Sequence, residues 1–252
     1  MTENITLTTR DRVTTLTMAR PEKRNAITQA MYAAMADALE DYATNDTARA
    51  FVITGAAEYF TSGNDVRDFA MGDRSTETPP VLRFLTALST CPKPVIAAVN
   101  GPAIGVGVTM LLHCDLVVIA EEATFSTPFV GLGLVPEAGS SLLLPALIGM
   151  ALANDMLLAN RVLTAAEAHA AGLASRLVPG AELTAETARL AAGVAASAPT
   201  AMRETKALIR HGRDQVKAQM DRESVLFSAQ LKTPEFAEAV AARMAKRAPV
   251  FK

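Results

Sequence analysis

Short apolar runs alternate with helical patterns through the middle of the chain. Three of these runs have the length and continuous apolar character of buried strands: residues 51–54, 95–99 and 116–119. Helical spacing of apolar residues lies between them, over residues 79–90 and 105–113. Another apolar stretch, around residues 123–125, leads through a glycine-rich turn to a helical pattern over 140–147. Strands that alternate with helices in this way predict an α/β fold.

An N-terminal hairpin and a first helix precede this region. Alternating residues at 5–8 and 13–18 flank a polar turn, which predicts two paired strands. Thr28 is a candidate N-cap, and apolar residues follow it at helical spacing: Met31, Met35, Ala38, Leu39 and Tyr42. Farther along, Thr164 and Glu167 have the spacing of a capping box, which predicts a helix that ends at Gly172.

The pattern changes from about residue 184 to alanine-rich helices without strand signals. These helical patterns cover residues 184–197, 200–211, 214–231 and 234–246. We therefore predict two regions, a core over residues 1–183 and a helical region over residues 184–252. The apolar faces of the helical region would be available for a subunit interface.

Composition narrows the function classes. A net charge of -2 and a pI near 6.0 give no electrostatic reason to expect nucleic acid or an anionic membrane as the main partner. Cys91 and Cys114 are the only cysteines, and the N-terminus has no basic segment followed by an apolar core. These features predict a reduced, cytoplasmic setting. The three histidines lack ligand spacing, so no metal site is expected.

Two glycine-containing loops offer backbone N–H groups to a ligand. One is Thr61-Ser-Gly-Asn-Asp65, and the other is Gly101-Pro-Ala-Ile-Gly-Val-Gly107. Glycine allows the backbone to approach a ligand closely, and N–H groups at a helix N-terminus point toward negative charge. Taken alone, each loop is equally typical of a tight turn or of close helix packing. Together they suggest an oxyanion hole, which an enolate or a tetrahedral intermediate requires.

Glu137 lies in the turn Val135-Pro-Glu-Ala-Gly139, which precedes the predicted helix at 140–147. It can be interpreted as a carboxylate that interacts favourably with a helix N-terminus. It can also be interpreted as a general base in an apolar surround, since leucines lie on both sides of it in sequence. The residues alone leave both interpretations open.

Several other catalytic motifs are missing. The chain has neither a Gly-x-x-x-x-Gly-Lys-Ser/Thr phosphate loop nor a Gly-x-Gly-x-x-Gly motif after its first strand. Neither Ser140 nor Ser141 lies in a Gly-x-Ser-x-Gly motif. Cys91 and Cys114 are interpreted as buried small apolar residues, and His113 as a helix-end histidine with its hydrogen bonds satisfied. Nucleotide hydrolysis and dinucleotide redox chemistry therefore lose support.

The sequence resembles the crotonase superfamily, the enoyl-CoA hydratase and isomerase family, from end to end. Four segments in the family's order carry the resemblance: Arg20-Pro-Glu-Lys-Arg-Asn-Ala-Ile27, Phe60 to Val66, Asn100 to Asp115, and Lys246-Arg-Ala-Pro-Val-Phe251. The resemblance implies a right-handed spiral of ββα repeats with a C-terminal helical trimerisation region. It also implies a homotrimer or a dimer of trimers that acts on acyl-CoA thioesters of fatty acid metabolism. Coenzyme A is then part of the substrate, and no metal or redox cofactor is expected.

The resemblance also assigns roles to residues by position. The backbone N–H groups of Asn64 and Val106 correspond to the pair that holds the thioester oxygen. The residues implied in binding the acyl-CoA are Lys23, Arg24, Ser62, Gly63, Val66 and Gly105. Lys23 and Arg24 are candidates for the phosphates of CoA, although a solvated loop explains both basic residues equally well.

Two departures from the family pattern indicate the subclass. Hydratases of the family use a pair of glutamates to activate water, and those positions are Thr109 and Phe129 here. With the carboxylate at Glu137 instead, the chain resembles the monofunctional Δ3,Δ2-enoyl-CoA isomerases, in which one glutamate at this turn moves the proton. The alternatives are a hydratase with non-standard residues, an enzyme of the hydrolase or dehalogenase type with Glu137 as nucleophile, and a non-catalytic acyl-CoA binder.

Overall fold

The computed structural model of the protein describes residues 3–65, 68 and 78–251. In this part of the chain the main sheet has six strands, ordered β1 (Ile5–Arg10), β2 (Val13–Met18), β3 (Ala50–Gly55), β4 (Val95–Val99), β6 (Leu116–Ala120) and β9 (Arg176–Val178). The pair β1–β2 is antiparallel, and every later pair is parallel. A smaller sheet contains β5 (Ala103–Ile104), β7 (Thr124–Ser126) and β8 (Leu163–Thr164).

Helices cover both faces of the main sheet. Those of the first part of the chain are α1 (Gln29–Thr44), α2 (Pro80–Thr90), α3 (Val106–Thr109), α4 (Ser140–Ile148), α5 (Met150–Leu157) and α6 (Ala165–Ala170). The C-terminal helices are α7 (Leu183–Ala196), α8 (Pro199–Ile209), α9 (Asp214–Gln230) and α10 (Pro234–Met244). Short 3₁₀ helices lie at Pro21–Lys23, Met110–His113, Val130–Leu132 and Gly180–Glu182.

The central strands are apolar throughout because each of their faces is buried. Phe51 and Ile53 of β3 point into the larger core, which includes α1 and α2. Ala50 and Val52 of the same strand point the other way, into a second core closed by α7. Successive strand residues face opposite sides, so a strand buried on both sides contains no polar alternation.

Successive ββα units bring two helix starts to the same edge of the molecule. In one unit β4 is followed by β5 and α3, and in the next β6 is followed by β7 and, after a turn, α4. The second strands of the two units pair in parallel within the small sheet. The Gly105 N–H donates to the Ser126 carbonyl oxygen at 2.8 Å. The loop before α3 therefore lies against the end of β7, from which the chain continues toward Glu137.

Most sequence-based element predictions are confirmed. The hairpin pairs Ile5 with Met18 and Arg10 with Val13. The Thr28 side chain accepts the Met31 N–H, and the capping box of Thr164 and Glu167 is complete. The helix predicted over 105–113 is α-helical only as far as Thr109 and continues as a 3₁₀ helix.

The sequence patterns gave no signal for α5, β5 or β8. Both strands have only two residues, and α5 directly follows α4 at Gly149, where φ is +81°. Glycine adopts this conformation without steric cost, so it separates two helices that periodicity alone would merge or miss.

The first C-terminal helix packs against the sheet. Leu183, Ala191 and Ala195 of α7 contact the face formed by β3, β4 and β6. The division predicted at residues 183 and 184 therefore separates α7 in sequence from a sheet that it contacts in space. The division itself stays a prediction. No helix in the described ranges is long and apolar enough to cross a membrane.

Candidate active site

The loop at residues 61–65 lies between Ile27 and strand β5. The Ile27 N–H donates to the Gly63 carbonyl oxygen and the Asp65 N–H donates to the Ile27 carbonyl oxygen, each at 2.9 Å. On the opposite side, the Ile104 N–H donates to the Thr61 carbonyl oxygen at 3.0 Å. The Asn64 N–H, between these bonded positions, has no acceptor among the described residues.

Gly63 allows the two predicted loops to touch. Its φ is +88°, and a Cβ atom added there would lie 2.9 Å from the Ile104 carbonyl oxygen. A side chain at this position would meet both the steric penalty of a positive φ and a fixed backbone atom. The contact brings Asn64 close to Gly105, where the second loop begins.

Val106 is the first residue of α3, and its N–H also has no acceptor among the described residues. The first N–H groups of a helix have no partner within the helix and point outward. Asn64 and Val106 line one pocket, whose apolar walls include Phe129, Leu132 and Leu134. Two backbone donors in an apolar pocket form an arrangement that can hold a negatively charged oxygen.

The loop that carries Lys23 and Arg24 lies against the loop at residues 61–65. The Ser62 N–H donates to the Arg24 carbonyl oxygen at 2.9 Å, and the Ser62 hydroxyl lies 3.4 Å from the Lys23 carbonyl oxygen. Asn25 is fully buried and donates its side-chain N–H groups to the carbonyl oxygens of Ala56 and Tyr59. Lys23 and Arg24 are exposed beside Ser62, as a phosphate site requires. Val66 lies outside the described residues.

Glu137 is a buried carboxylate at the wall of a neighbouring cavity. Only 7% of the residue is exposed, and its Oε1 has no hydrogen-bond partner among the described residues. Apolar side chains surround the cavity, including Val81, Leu82, Leu85 and Phe227. Burial raises the pKa of Glu137 from 4.5 to about 8, and the negative charge of Glu223 adds to this rise. Such a group can accept and return a proton near neutral pH.

The turn that carries Glu137 is held from two sides. Ala138 and Gly139 both have left-handed backbones, with φ of +61° and +71°. The His113 Nε2 lies 2.7 Å from the Ala138 carbonyl oxygen, so Nε2 carries the proton and donates. Burial lowers the pKa of His113 to about 4, which keeps the ring neutral. From the opposite side, Glu223 accepts the Gly139 N–H at 2.5 Å.

Tyr32 is hydrogen-bonded to the loop at residues 61–65, and its pKa responds to the charge of Glu137. Its hydroxyl donates to the Asn64 Oδ1, and the residue is fully buried on α1. Burial raises the pKa of Tyr32, and the negative charge of Glu137 raises it further. Phe227 of α9 lines both pockets and so lies between the paired N–H groups and Glu137.

The structure offers no second carboxylate where hydratases of the family have their glutamates. Thr109 is fully buried, and its hydroxyl oxygen has no partner in the described part of the chain. Phe129 is buried and lines the pocket that contains Asn64 and Val106. The described residues also contain no group of three or more His, Cys, Asp or Glu side chains that could hold a metal ion.

Sequence patterns did not identify Tyr32 or Glu223 as functional residues. Tyr32 lies on the apolar face of α1, where a tyrosine is ordinarily a core residue. Glu223 lies in an alanine-rich helical tail, where a glutamate is ordinarily solvated. His113 does lie at a helix end, but only one of its ring nitrogens is bonded, since Nδ1 has no partner among the described residues.

Known proteins resemble this chain over nearly its whole length. Residues 8–252 match the enoyl-CoA hydratase/isomerase family. The "Enoyl-CoA delta isomerase 2" of Rattus norvegicus is 40% identical over 214 residues, which are 82% of this chain and 54% of the rat protein. The chain therefore spans about half the length of that relative. The "2,3-dehydroadipyl-CoA hydratase" of Escherichia coli K12 is 37% identical over 96% of this chain and 95% of its own.

A solved structure shares the fold closely. The crystal structure of an enoyl-CoA hydratase/isomerase from Pseudoalteromonas atlantica T6c is 48% identical and superimposes with a TM-score of 0.96. The match covers 99% of this chain and all of the other one. The crotonase-type spiral expected from the sequence is therefore confirmed, and the chain belongs to the enoyl-CoA hydratase/isomerase family.

Proposed function

We propose that the protein is a Δ3,Δ2-enoyl-CoA isomerase in which Glu137 is the only proton-transferring side chain. The observation that carries this proposal is a buried carboxylate, Glu137, whose Oε1 has no partner among the described residues. Its cavity shares Phe227 with the pocket of the Asn64 and Val106 N–H groups, which have no acceptor in the same part of the chain. The positions that bear the water-activating glutamates of hydratases are Thr109 and Phe129, and neither side chain can accept a proton near neutral pH.

The reaction follows from these groups. The thioester oxygen of a 3-enoyl-CoA accepts hydrogen bonds from the N–H groups of Asn64 and Val106. The Glu137 carboxylate removes a proton from C2, and the electrons pass through a dienolate whose negative charge lies on that oxygen. The protonated Glu137 then returns the proton to C4, so the double bond moves to C2–C3. Substrate and product are isomers, so the proton that Glu137 removes is also the proton that it returns. Glu137 is then a carboxylate again, ready for the next substrate.

The two pockets suggest how the substrate lies. The CoA portion would approach along Ser62, Gly63 and Gly105, with its phosphates near Lys23 and Arg24. Val66, assigned to the same role, remains a prediction. The acyl chain would extend past Glu137 into the apolar cavity lined by Val81, Leu82, Leu85, Met220 and Leu231. The mechanism requires no cofactor, since coenzyme A arrives with the substrate.

A hydratase is the second candidate function. The E. coli relative that matches almost the whole chain is named a hydratase, so hydration must be tested directly. A hydrolase or dehalogenase reaction with Glu137 as a nucleophile is the third. Dehalogenases of the superfamily favour aromatic substrates and an aromatic pocket, whereas only 5% of the residues of this chain are aromatic and none is Trp.

Product analysis tests the proposed function. We expect a 3-enoyl-CoA to be converted to the conjugated 2-enoyl-CoA, measured by the ultraviolet absorbance of the conjugated thioester. Mass spectrometry of the same mixture should find no gain of 18 Da, because no pair of carboxylates activates water. Formation of 3-hydroxyacyl-CoA as the main product would contradict the proposal and favour the hydratase.

We also propose that the chain assembles as a homotrimer or a dimer of trimers. Its C-terminal helices expose large apolar side chains, among them Leu208 and Ile209 at 76% and 78% exposure. Side chains of this kind are ordinarily covered in an assembly. Light scattering on the purified protein should give three or six times the chain mass of 26.6 kDa. A monomer at micromolar concentration would contradict this prediction. A cytoplasmic location also stays a prediction.

A further inference from the structure

Glu223 of helix α9 is a buried carboxylate that accepts hydrogen bonds from Gly139 and Ser141, shortly after Glu137 in the chain. Only 4% of the residue is exposed. It accepts the Gly139 N–H at 2.5 Å through Oε2, and the Ser141 N–H at 3.0 Å and the Ser141 hydroxyl at 2.5 Å through Oε1. Glu223 thus provides from a distant helix the hydrogen bonds that a local N-cap side chain would provide.

The local sequence cannot provide this cap. Gly139 is the N-cap residue of α4 and has no side chain to accept the N–H groups of the first turn. The Ser140 and Leu142 N–H groups donate to the carbonyl oxygens of Glu137 and Gly139. Without Glu223, the N–H groups of Gly139 and Ser141 would lose their acceptor. A carboxylate is also electrostatically favourable at a helix N-terminus. Glu223 is therefore well suited to stabilise the start of α4.

The same contacts fix the backbone immediately after Glu137. Ala138 has a φ of +61°, which is unfavourable for any residue with a Cβ atom. The His113 ring holds the Ala138 carbonyl, and Glu223 holds the Gly139 N–H. Helix α9 also packs closely on the turn, since a Cβ atom at Gly139 would lie 3.2 Å from a Val216 methyl group. The left-handed turn is therefore maintained by contacts from outside its own segment.

We propose that Glu223 is a positioning residue for Glu137: its carboxylate fixes the turn that aims the base and places a negative charge beside it. This inference rests on the proposed function. It assigns the C-terminal helical region a part in the chemistry of the core, because Glu223 lies beyond the predicted core boundary at residue 183.

The negative charge of Glu223 affects the protonation of Glu137, which packing alone would not do. Three donors surround the Glu223 oxygens, whereas Glu137 Oε1 has none among the described residues. When two carboxylates are close, the proton resides on the one with fewer donors, here Glu137. Other ionisable groups near Glu137 in the described part of the chain are Tyr32 from α1 and His113 from the 3₁₀ helix after α3, both neutral at pH 7. Lys232, which follows α9, lines the same cavity as Glu137.

The Glu223 charge sets the direction in which the pKa of Glu137 should move when Glu223 is replaced. A negative charge nearby raises the pKa of Glu137, so its removal should lower that pKa. If the carboxylate form of Glu137 is the active form, kcat/KM rises with pH up to this pKa and then levels off. In Glu223→Gln the rising part of the profile should move to lower pH. A residue that only stabilised the fold would lower activity without moving the profile.

The test combines Glu223→Gln with a matched control, Ser141→Ala. The control removes one hydrogen bond of Glu223 and keeps its charge. Glutamate carboxyl carbons labelled with 13C report the titration by NMR, and the signal of Glu137 is the one that disappears in Glu137→Gln. We expect the Glu137 midpoint, and the kcat/KM profile with it, to shift to lower pH in Glu223→Gln and to stay within about 0.3 pH units of wild type in Ser141→Ala.

Each outcome is decisive. If Glu223→Gln does not fold, Glu223→Asp keeps a negative charge but sets it farther from Glu137. We then expect a smaller shift of the Glu137 midpoint to lower pH, and an unmoved midpoint would overturn the inference. An unshifted midpoint in a folded Glu223→Gln would overturn the inference. If the wild type shows no isomerase activity but the NMR midpoint shifts as described, the proposed function fails while the coupling of the two carboxylates stands.

Discussion

Replacement of Glu137 by glutamine should lower kcat for 3-enoyl-CoA isomerisation by about 10²–10⁴-fold, the range typical for loss of a general base. Glutamine has nearly the same shape but cannot take up the C2 proton or return it to C4. Because glutamine keeps the size and hydrogen-bonding shape of the side chain, affinity for a CoA thioester should stay within a few fold of wild type. Stopped-flow absorbance of the conjugated product gives kcat, and isothermal titration calorimetry gives the affinity.

Glu121→Gln is the matched control, because Glu121 is exposed and lines neither of the two pockets. It should leave kcat unchanged. Wild-type kcat in Glu137→Gln would place the base elsewhere and end the single-carboxylate mechanism. Hydration that survived the substitution would instead favour the hydratase.

The thermal stability of Glu137→Gln should also differ from that of the wild type, by an amount that depends on pH. Burial raises the pKa of Glu137 in the folded state from 4.5 to about 8. The stability linked to this group is therefore fully present below about pH 4.5 and is lost as pH rises through 8. Glutamine does not ionise, so Glu137→Gln should have a higher Tm than wild type at pH 9 and a similar Tm at pH 5. A base that destabilises its own fold at the pH where it works is common at active sites.

Periodicity predicted the positions of the helices and strands because it reflects which side of each element is buried. The continuous apolar run at 95–99 predicted a strand covered on both faces, and α7 on one side with the larger core on the other explains it. The strands β5 and β8 were not predicted, because a strand of two residues is too short to show a hydrophobic period. Yet β5 is the strand that holds the loop of Asn64, so a short element carries much of the site's geometry.

The site was predicted in part, for a physical reason. Glycines and a proline-flanked glutamate are visible in a sequence because each constrains its own backbone. The contacts that orient them come from distant residues: Tyr32 bonds Asn64, and Glu223 lies 84 positions from Gly139. Each of these residues fits a generic position in a helix, and only the tertiary structure gives it a specific partner.

Substitution of Gly63 by alanine should lower kcat by about 10²–10³-fold, the cost typical of losing one oxyanion-hole donor. Neither donor can be deleted by a side-chain change, since both are backbone N–H groups, so displacement of the loop is the available test. The added Cβ atom would lie 2.9 Å from the Ile104 carbonyl oxygen. Ile104 is held in β5 by pairing with Ser126 of β7, so the loop must shift and carry the Asn64 N–H with it.

Gly149→Ala separates that displacement from the strain of a left-handed backbone. Gly149 has a φ of +81°, close to the +88° of Gly63, but a Cβ atom there would have no neighbour within 4 Å. Both variants should lose stability by about 1–3 kcal/mol in urea unfolding, because alanine is strained at positive φ. Only Gly63→Ala should lose kcat, with product absorbance as the measure. Equal losses of kcat in the two variants would mean that general destabilisation lowers the rate, and wild-type kcat in Gly63→Ala would mean that the Asn64 N–H does not bind the thioester oxygen.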